Sequence, residues 1–429
     1  MTDFITYKPS DWNIKNLENI AKFITKGATP TTYGFEWVEE SGDSIPFLRS
    51  ECVTANGFKR KGMNFISKKA HAAMARSKIK SGDILMTITG NIGRIATLPD
   101  EIPEANINQH IAKISVIEGV SSSYVAQSLQ QEHYTRYYER ILTGQAYPQI
   151  SLKQVRETPI LLPSYPEQQK IAEVLSIVDK KIDLIDQKIA ETEKLKTGLM
   201  QKLFSEGIGV QDENGVWQPH TDFKPSGYPD CWKVMQLKSI ANVITGKTPP
   251  PANTENYGGD YMFVSPSDLG SRKYISHTKS TLSKQGVNNG KVVPKGAIFF
   301  TCIGSTIGKI GISTQECCTN QQINTVILEK DGYMSEYVYY ALSHISGSIK
   351  RLAGIQAVPI VKKSLFESQF IPIPPQEEQQ LIAETLATVD LKLDILDKQK
   401  AETQQLKKGL MQKLLTGEWR VPVEETEAA

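Results

Sequence analysis

The run Thr245-Gly246-Lys247-Thr248 comes nearest to a chemical motif in this 429-residue sequence, because Gly-Lys-Thr ends the phosphate-binding loops of many nucleotide-binding proteins. Such a loop needs an upstream glycine where this sequence has Ala241, and it needs a helix directly after it whose amides face the phosphates. The three prolines at 249–251 prevent that helix. The run Gly304–Lys309 fails in a similar way, so we expect no nucleotide site at either position.

Other catalytic and metal-binding patterns are missing from the sequence. The six histidines are scattered and form no ligand-like cluster, and there is no GxGxxG, HExxH or GxSxG motif. Carboxylate–carboxylate–lysine patterns of nucleases and the Asn/Asp-Pro-Pro-aromatic signature of amino-methyltransferases are also missing. The five cysteines form no CxxC pair, which argues against structural zinc and fits a reducing compartment. We expect a cytoplasmic protein with no leader, no membrane span, no metal and no catalytic residue.

Length and composition are those of a folded chain with two or three domains. Hydrophobic residues make up 39% and charged residues 22%, which excludes a disordered or collagen-like protein. The net charge is only +2, but residues 1–164 carry 19 basic against 16 acidic side chains, and residues 217–375 carry 16 against 10. Positive charge is therefore concentrated in two separate blocks, as expected if both face a polyanion.

An internal repeat dominates the sequence, in which a variable block and a near-constant segment each occur twice. Segments 167–203 and 378–414, offset by 211, are identical at 23 of 37 positions. The variable blocks share short motifs, among them Lys8-Pro9-Ser10 with Trp12 and Lys224-Pro225-Ser226 with Trp232, Thr29-Pro30 and Thr248-Pro249, Gly90-Asn91-Ile92-Gly93 and Gly304-Ser305-Thr306-Ile307-Gly308, and Asn108-Gln109 and Asn320-Gln321.

Each near-constant segment is predicted to form one long helix. In the first, apolar or small residues fall at positions 171, 175, 178, 182, 185, 189, 192, 195, 199 and 203, and this spacing is typical of a coiled coil. The second copy has the same stripe, interrupted by Lys400. An amphipathic helix of this length must bury its stripe, and we expect the two helices to pair antiparallel. The alternative is that each helix packs only on its own block or on another chain.

The expected fold class is α+β. Two similar mixed α/β domains are separated by two long antiparallel coiled-coil helices, with a pseudo-two-fold internal repeat. The predicted segments are residues 1–162 for the first domain, 163–207 for the first spacer helix, 208–373 for the second domain, 374–417 for the second spacer helix, and 418–429 for an acidic tail.

This architecture resembles the specificity subunit of type I restriction–modification enzymes over the whole chain. The resemblance is carried by the duplicated order of the Thr-Pro loop, the glycine turn, the Asn-Gln pair and the proline-led starts of the helices. These starts are Pro163-Ser-Tyr-Pro-Glu-Gln-Gln169 and Pro374-Pro-Gln-Glu-Glu-Gln-Gln380.

The resemblance implies a DNA-recognition subunit without catalytic activity. Each variable block is expected to be a target-recognition domain that reads one half of an asymmetric bipartite sequence in double-stranded DNA. The paired helices are expected to fix the gap and to dock two methylation subunits, which use S-adenosylmethionine, while motor–nuclease restriction subunits complete the assembly.

Candidate DNA contacts were chosen for residue types that read base edges or bind phosphates. In the first block they are Lys26, Thr29, Arg49, Ser50, Lys59, Arg60, Lys61, Asn91, Arg94, Gln145 and Tyr147. In the second block they are Lys247, Thr248, Ser265, Arg272, Lys273, Ser305, Lys309, Gln356, Lys362 and Lys363. The alternative for each is an ordinary solvated surface residue, or a packing residue in the case of Tyr147.

Candidate partner contacts are polar residues that are identical in the two helices and that heptad packing does not explain. They are Gln168, Asp179, Asp183, Glu191 and Gln201, with their counterparts Gln379, Asp390, Asp394, Glu402 and Gln412. A surface presented twice suits two copies of one partner. Recent duplication or plain solvated faces would give the same identities.

Two other functions are compatible with the sequence. A coiled-coil scaffold with protein-binding domains would select no DNA sequence. An enzyme with an undetected active site, such as a nuclease, would cleave DNA without a partner.

Overall fold

The computed structural model describes residues 7–143, 148–270, 272–354 and 357–422. The chain divides into two compact units, each assembled from segments that are distant in the sequence. Unit 1 consists of Met1–Asp186 with Lys398–Ala429, and unit 2 consists of Gln187–Asp397. Each unit therefore holds one variable block together with parts of both near-constant segments.

The described residues of unit 1 form short strands and five short α-helices. The strands are β1 (Asn13–Asn16), β2 (Ala21–Lys26), β3 (Ser44–Leu48), β4 (Val53–Thr54), β5 (Gly57–Phe58), β6 (Asn64–Ser67), β7 (Lys78–Lys80), β8 (Ile84–Thr87), β9 (Ile95–Thr97), β10 (Glu104–Ile107), β11 (Ile111–Val116) and β12 (Pro159–Leu162). The helices are α1 (Leu17–Ile20), α2 (Lys68–Ala73), α3 (Ser122–Leu129), α4 (Glu132–Arg140) and α5 (Leu152–Arg156), with 3₁₀ turns at Pro30–Tyr33, Ser50–Cys52 and Ala75–Ser77. The first long helix, α6 (Tyr165–Leu203), begins in this unit.

Unit 2 repeats this plan. Its strands are β13 (Val210–Gln211), β14 (Trp217–Gln218), β15 (Lys233–Gln236), β16 (Ala241–Thr245), β17 (Tyr257–Val264), β18 (Tyr274–Ile275), β19 (Ser280–Leu282), β20 (Val292–Val293), β21 (Ile298–Thr301), β22 (Ile310–Ser313), β23 (Cys317–Thr319), β24 (Ile323–Leu328) and β25 (Phe370–Ile373). Its helices are α7 (Leu237–Ile240), α8 (Lys284–Asn289), α9 (Ser335–Arg351) and α10 (Lys363–Glu367), with a 3₁₀ turn at Thr254–Asn256. The second long helix, α11 (Gln376–Leu414), begins in this unit and ends in unit 1.

Sheet order shows that the sequence repeat is a structural repeat. The main sheet of unit 1 has the order β2-β11-β8-β9, and that of unit 2 has the order β16-β24-β21-β22 with β18 added at one side. The third strands of these two sheets, β8 and β21, are buried at every residue, as expected for continuous apolar runs at a sheet centre. A second sheet in each unit has one parallel pair, β3 with β10 and β17 with β23. The expected mixed α/β domains are confirmed.

Both long helices are confirmed, and their segments run antiparallel within each unit. In unit 1, Asp179 pairs with Lys407 at 2.6 Å and Asp186 pairs with Lys400 at 2.5 Å, so the residue number rises on α6 while it falls on α11. In unit 2, Lys196 pairs with Asp390 at 2.6 Å in the same register. Asp179–Lys407 and Asp390–Lys196 are copies of one another under the 211-residue repeat. The predicted antiparallel packing of α6 against α11 therefore occurs within each unit.

The structure corrects the predicted heptad stripe at one position in each helix. Leu195 and Leu406 were assigned to the buried stripe, but their exposed fractions are 52% and 53%. The next residues, Lys196 and Lys407, continue the alternation of four and three and turn toward aspartates of the facing helix. A lysine at a position that faces the partner helix lowers the stability of the helix pair but specifies the register between the two helices.

Reversing the charge of Lys407 tests this interpretation of the helix pair. Lys407→Asp places a second carboxylate beside Asp179, and we expect the free energy of unfolding to fall by about 1 kcal/mol, the scale of a partly exposed pair. The added change Asp179→Lys restores opposite charges and should recover most of the loss in a thermal melt. A double variant no more stable than Lys407→Asp would show that the two side chains do not interact.

A buried glutamate at the start of each long helix anchors the domain that precedes it. Glu167 of α6 accepts hydrogen bonds from Trp12 Nε1 at 3.2 Å and from the guanidinium of Arg420 at 2.6 and 2.9 Å. Arg420 also binds Asp11, and this contact lowers the pKa of the Asp11 carboxyl. Unit 1 therefore uses the segment after α11 to close its own domain.

Glu378 of α11 has the equivalent place in unit 2, with the equivalent tryptophan and otherwise different partners. It accepts hydrogen bonds from Trp232 Nε1 at 2.8 Å, from His220 Nε2 at 2.9 Å, and from the amides of Ile208 and Gly209 at 2.8 and 3.1 Å. This contact explains why a tryptophan occurs near the start of both blocks, and the lysines of the motif, Lys8 and Lys224, each donate to the carbonyl of that tryptophan.

Candidate nucleic-acid interface

In unit 1, the loops that carry the repeated motifs meet at one edge of the main sheet. Strands β2 and β8 end at this edge while β9 and β11 begin there, because all their pairings are antiparallel. The amide of Ile88 donates to the carbonyl of His110 at 2.9 Å and links two of these loops. Residues 26–29, 88–94 and 108–110 together are called the loop edge of unit 1.

Unit 2 has an equivalent edge, made by residues 246–249, 302–309 and 320–322. The amide of Gly246 donates to the carbonyl of Ile323 at 3.0 Å, and the amide of Cys302 donates to the carbonyl of Gln322 at 2.8 Å. The segment before α10 joins this edge, since the amide of Gly304 donates to the carbonyl of Pro359 at 2.9 Å. The two units thus present the same set of loops with different side chains.

Six candidate DNA contacts of unit 1 lie at or beside its loop edge. Arg49 and Ser50 follow strand β3, whose last carbonyl, that of Leu48, accepts from the amide of Asn108 at 3.1 Å. Arg49 is exposed and pairs with Glu51 at 3.2 Å. The other four are the exposed Lys26 and Asn91 and the half-buried Thr29 and Arg94.

Three further candidates of unit 1 lie on a different loop. Lys59, Arg60 and Lys61 are exposed and follow β5. Lys59 is near enough to Asp183 of α6 to act on that carboxylate, although burial and two neighbouring aspartates outweigh it and raise the pKa of Asp183. This basic loop therefore also faces the helix. Gln145 and Tyr147 lie outside the described residues.

In unit 2 the candidates divide into exposed and enclosed side chains. Ser265 lies beside Asn320, whose amide donates to the carbonyl of Val264 at 3.1 Å. The exposed candidates are Lys247, Arg272, Ser305, Lys362 and Lys363, and Thr248 is half-buried. Lys363 also pairs with Glu367 at 3.7 Å within α10. Gln356 lies outside the described residues.

Two candidate lysines of unit 2 are engaged within the fold. The ammonium of Lys273 lies 4.7 Å from the ring centre of Tyr340 and 4.9 Å from that of Tyr274, and burial lowers its pKa. Lys309 donates to the carbonyl of Pro266 at 3.2 Å. Both shape a cavity of about 670 Å³ that also borders Asp390 and Asp394, so their positive charges are partly balanced before any ligand arrives.

The structure gives Gln168 and Gln379 a role inside the fold. Each side chain is 1% exposed. Gln168 donates to the carbonyl of Pro163 at 2.9 Å and accepts from the amide of Ser121 at 2.9 Å. Gln379 repeats this with Pro374 and Met334 at 3.0 and 3.1 Å. The proposed partner contact is contradicted for these two residues, because their identity is explained by packing that hides them.

The remaining predicted partner contacts are accessible to different degrees. Asp179 and Asp390 are already paired with Lys407 and Lys196, and Asp390 also accepts from the hydroxyl of Tyr340 at 2.6 Å. The exposed ones are Asp183, Glu191, Gln201, Asp394, Glu402 and Gln412.

Sequence reasoning missed a set of exposed aliphatic side chains on the long helices. Their exposed fractions lie between 48% and 59%. Two pairs are equivalent under the repeat, Leu184 with Ile395 and Leu195 with Leu406. The full set is Ile177, Leu184, Leu195, Leu391, Ile395 and Leu406. Leu184 and Ile395 were visible in the sequence as equivalent apolar residues outside the four-three stripe, whereas Leu195 and Leu406 were assigned to the stripe.

The described residues show a metal-ligand cluster that the sequence did not suggest. His220, Cys231 and Glu378 place potential ligand atoms within 4.8 Å of one another, although 158 positions separate the histidine from the glutamate. One Glu378 oxygen already accepts three N–H donors, from Ile208, Gly209 and His220. The cluster therefore serves as the anchor described above.

The phosphate-loop resemblance is not matched by the structure around it. Strand β16 ends at Thr245, residues 246–248 lead into Pro249, and the first helical turn described after them is the 3₁₀ turn Thr254–Asn256. No helix in the described part of the chain is long and apolar enough to cross a bilayer.

Comparison with known proteins gives one consistent result. The sequence model of the type I restriction modification DNA specificity domain matches residues 9–194 and again 229–405. The chain is 26% identical to a putative type I restriction enzyme MjaX specificity subunit of Methanocaldococcus jannaschii, over 96% of this chain and 95% of the relative.

Two solved structures have the same fold. A type I restriction–modification S subunit from M. genitalium aligns with a TM-score of 0.57 and 16% identity, over 94% of this chain and 96% of that one. A chain from a study of complex assembly and conformational transition of the type I R-M system aligns with a TM-score of 0.57 and 17% identity, over 96% and 99%. The resemblance seen in the sequence is confirmed, and the chain belongs to the type I restriction–modification DNA specificity family, with two copies of its domain.

Proposed function

We propose that this chain is the DNA-reading subunit of a type I restriction–modification complex, in which each unit reads one half of a bipartite target. The observation that carries the proposal is the duplicated loop edge. Both edges have the same backbone plan, so both suit a duplex, while their side chains differ, so the two half-sites should differ. The target is then split and asymmetric.

Charge and side-chain chemistry favour DNA over a protein partner at these edges. Residues 217–375 carry a balance of 16 basic to 10 acidic side chains, and both edges present Lys, Asn, Gln, Ser or Thr on exposed loops. These are the side chains that bind phosphates and read base edges in the major groove. A scaffold that binds only proteins would have no need of them at both edges.

The two long helices are proposed to fix the gap between the half-sites. Each has 39 residues, which at ~1.5 Å per residue gives a length of about 58 Å. One turn of DNA, ~34–36 Å, fits within that length. The Lys–Asp pairs described in each unit support a single register, which a fixed gap requires.

The same helices are proposed to dock two methylation subunits. Equivalent exposed aliphatic residues, Leu184 with Ile395 and Leu195 with Leu406, offer one partner surface twice. In this assignment the methylation subunits bind S-adenosylmethionine and carry out the chemistry, and motor–nuclease subunits join for restriction. This chain itself contributes no catalytic residue.

Exchange of one variable block tests whether each unit reads its own half of the target. Replacing residues 217–375 with the corresponding block of a family member of different specificity should change one half of the selected DNA motif and leave the other half and the gap intact. Duplexes selected from a random pool by the parent and exchanged complexes provide the measurement. A motif altered in both halves would contradict independent reading by the two units.

A further inference from the structure

Both loop edges carry an Asn-Gln pair, Asn108-Gln109 and Asn320-Gln321, whose residues are not among the candidate DNA contacts. We infer that Gln109 and Gln321 are equivalent base readers, and that each contacts an adenine present in both half-sites. This inference rests on the proposed function and adds the residue and the base to it.

The asparagine of each pair builds the turn and leaves the glutamine at its tip. Asn108 Oδ1 accepts from the amide of His110 at 3.1 Å, and Asn320 Oδ1 accepts from the amide of Gln322 at 3.1 Å. Asn108 is buried, and Asn320 is half-buried with its Nδ2 donating to Gln322 Oε1 at 3.0 Å, whereas Gln109 and Gln321 are exposed. Within each pair, the glutamine amide is therefore the more accessible one.

A glycine packed against each turn holds it in place. A Cβ on Gly27 would lie 1.8 Å from the carbonyl oxygen of Ile107, and one on Gly246 would lie 2.2 Å from that of Asn320. No side chain fits at Gly27 or Gly246, and this lets the Thr-Pro loop lie directly on the Asn-Gln turn. A rigid support of this kind is what a geometry-dependent base contact needs.

In unit 1 the Gln109 amide is braced through its nitrogen. Nε2 lies 3.0 Å from His110 Nε2, and His110 Nδ1 lies 2.8 Å from the hydroxyl of Thr89. With the histidine proton on Nδ1, the ring donates to Thr89 and accepts from Gln109. One amide hydrogen and the Oε1 oxygen of Gln109 remain for a ligand.

In unit 2 the Gln321 amide is braced through its oxygen instead. The hydroxyl of Thr248 donates to Gln321 Oε1. An amide oxygen has two lone pairs, so one acceptor site and both Nε2 hydrogens remain. Although the bracing is opposite, each glutamine keeps at least one donor and one acceptor for a ligand.

A donor beside an acceptor in one amide plane matches adenine. Glutamine pairs bidentately with adenine, donating to N7 and accepting from the N6 amine in the major groove. Neighbouring side chains differ between the edges, with His110 and Arg49 in unit 1 where unit 2 has Gln322 and Ser265. One shared base with different flanking bases is the result expected from this arrangement.

Selection from a random duplex pool tests the inference on the complex with its methylation subunit. Wild type should enrich a split motif with an adenine in each half. Gln109→Ala should lower discrimination at the adenine of one half by roughly 5- to 150-fold, and Gln321→Ala should do so in the other half. Gln109→Glu, which loses the donor, should also lose that adenine. Gln285→Ala, an exposed glutamine of α8, is the matched control and should select the wild-type motif.

The possible outcomes separate this inference from the function on which it rests. If wild type enriches no motif, both proposals fail. If wild type enriches a motif that Gln109→Ala and Gln321→Ala leave unchanged, or if the two variants affect different bases, this inference alone fails. Thermal melts of the variants should match wild type, because both glutamines are exposed.

Discussion

Glu378→Ala is expected to lower the free energy of unfolding of unit 2 by about 3–5 kcal/mol, the cost of breaking a buried charged network from one side. Its side chain is 1% exposed and holds Trp232, His220 and the amides of Ile208 and Gly209. Alanine would leave all four groups without their acceptor in a buried place.

Calorimetry of the full chain is the appropriate measurement. For a unit of this size the change corresponds to a fall of about 6–20 °C in the melting temperature of unit 2. Glu377→Ala removes an exposed carboxylate from the same turn and should leave melting unchanged. A Glu378→Ala chain that melts like the Glu377→Ala chain would show that the anchor has no role in stability.

The second large effect is expected on assembly, with no effect on folding. Replacing Leu184, Leu195, Ile395 and Leu406 by serine should weaken capture of each methylation subunit about 30-fold or more. Burial of each aliphatic side chain contributes on the order of 1 kcal/mol or more, and each of the two equivalent surfaces would lose two of them. The chain itself should keep its melting temperature, since these residues are already about half exposed.

The matched control uses another equivalent pair of exposed positions on the same helices, Lys194 and Gln405. Their replacement by serine should leave binding intact in a titration of the purified chain with the methylation subunit. If the four-serine chain binds two methylation subunits as tightly as wild type, the aliphatic surface is not the docking site.

The long-range organisation could be predicted from the sequence because repeats and heptads are periodic signals. Two helices of 39 residues and two similar domains follow from the offset of 211 and the four-three spacing. Periodicity cannot choose between adjacent residues, however. Hydrophobicity alone favours Leu195 over Lys196 for the interior of the helix pair. In the structure Lys196 takes that position because it pairs with Asp390 of the facing helix.

Contacts between distant residues were hidden for the same reason. Gln168 and Gln379 looked like surface residues because polar side chains usually are, but each accepts from an amide, of Ser121 or Met334, that only the fold brings near. The Thr-Pro and glycine-turn motifs lie at the loop edges, and their contact with DNA stays a prediction. The Asn-Gln turn was not among the candidate contacts because nothing in the sequence shows that Gly27 and Gly246 lie against it.

The central claim, that two units read two half-sites at a fixed gap, is tested most directly by one experiment. The chain, purified with its methylation subunit, is used to select bound duplexes from a random pool, and the recovered sequences are aligned. We predict two unlike half-sites separated by one constant gap. A complex that assembles fully but enriches no sequence, or enriches a single uninterrupted site, would contradict the account.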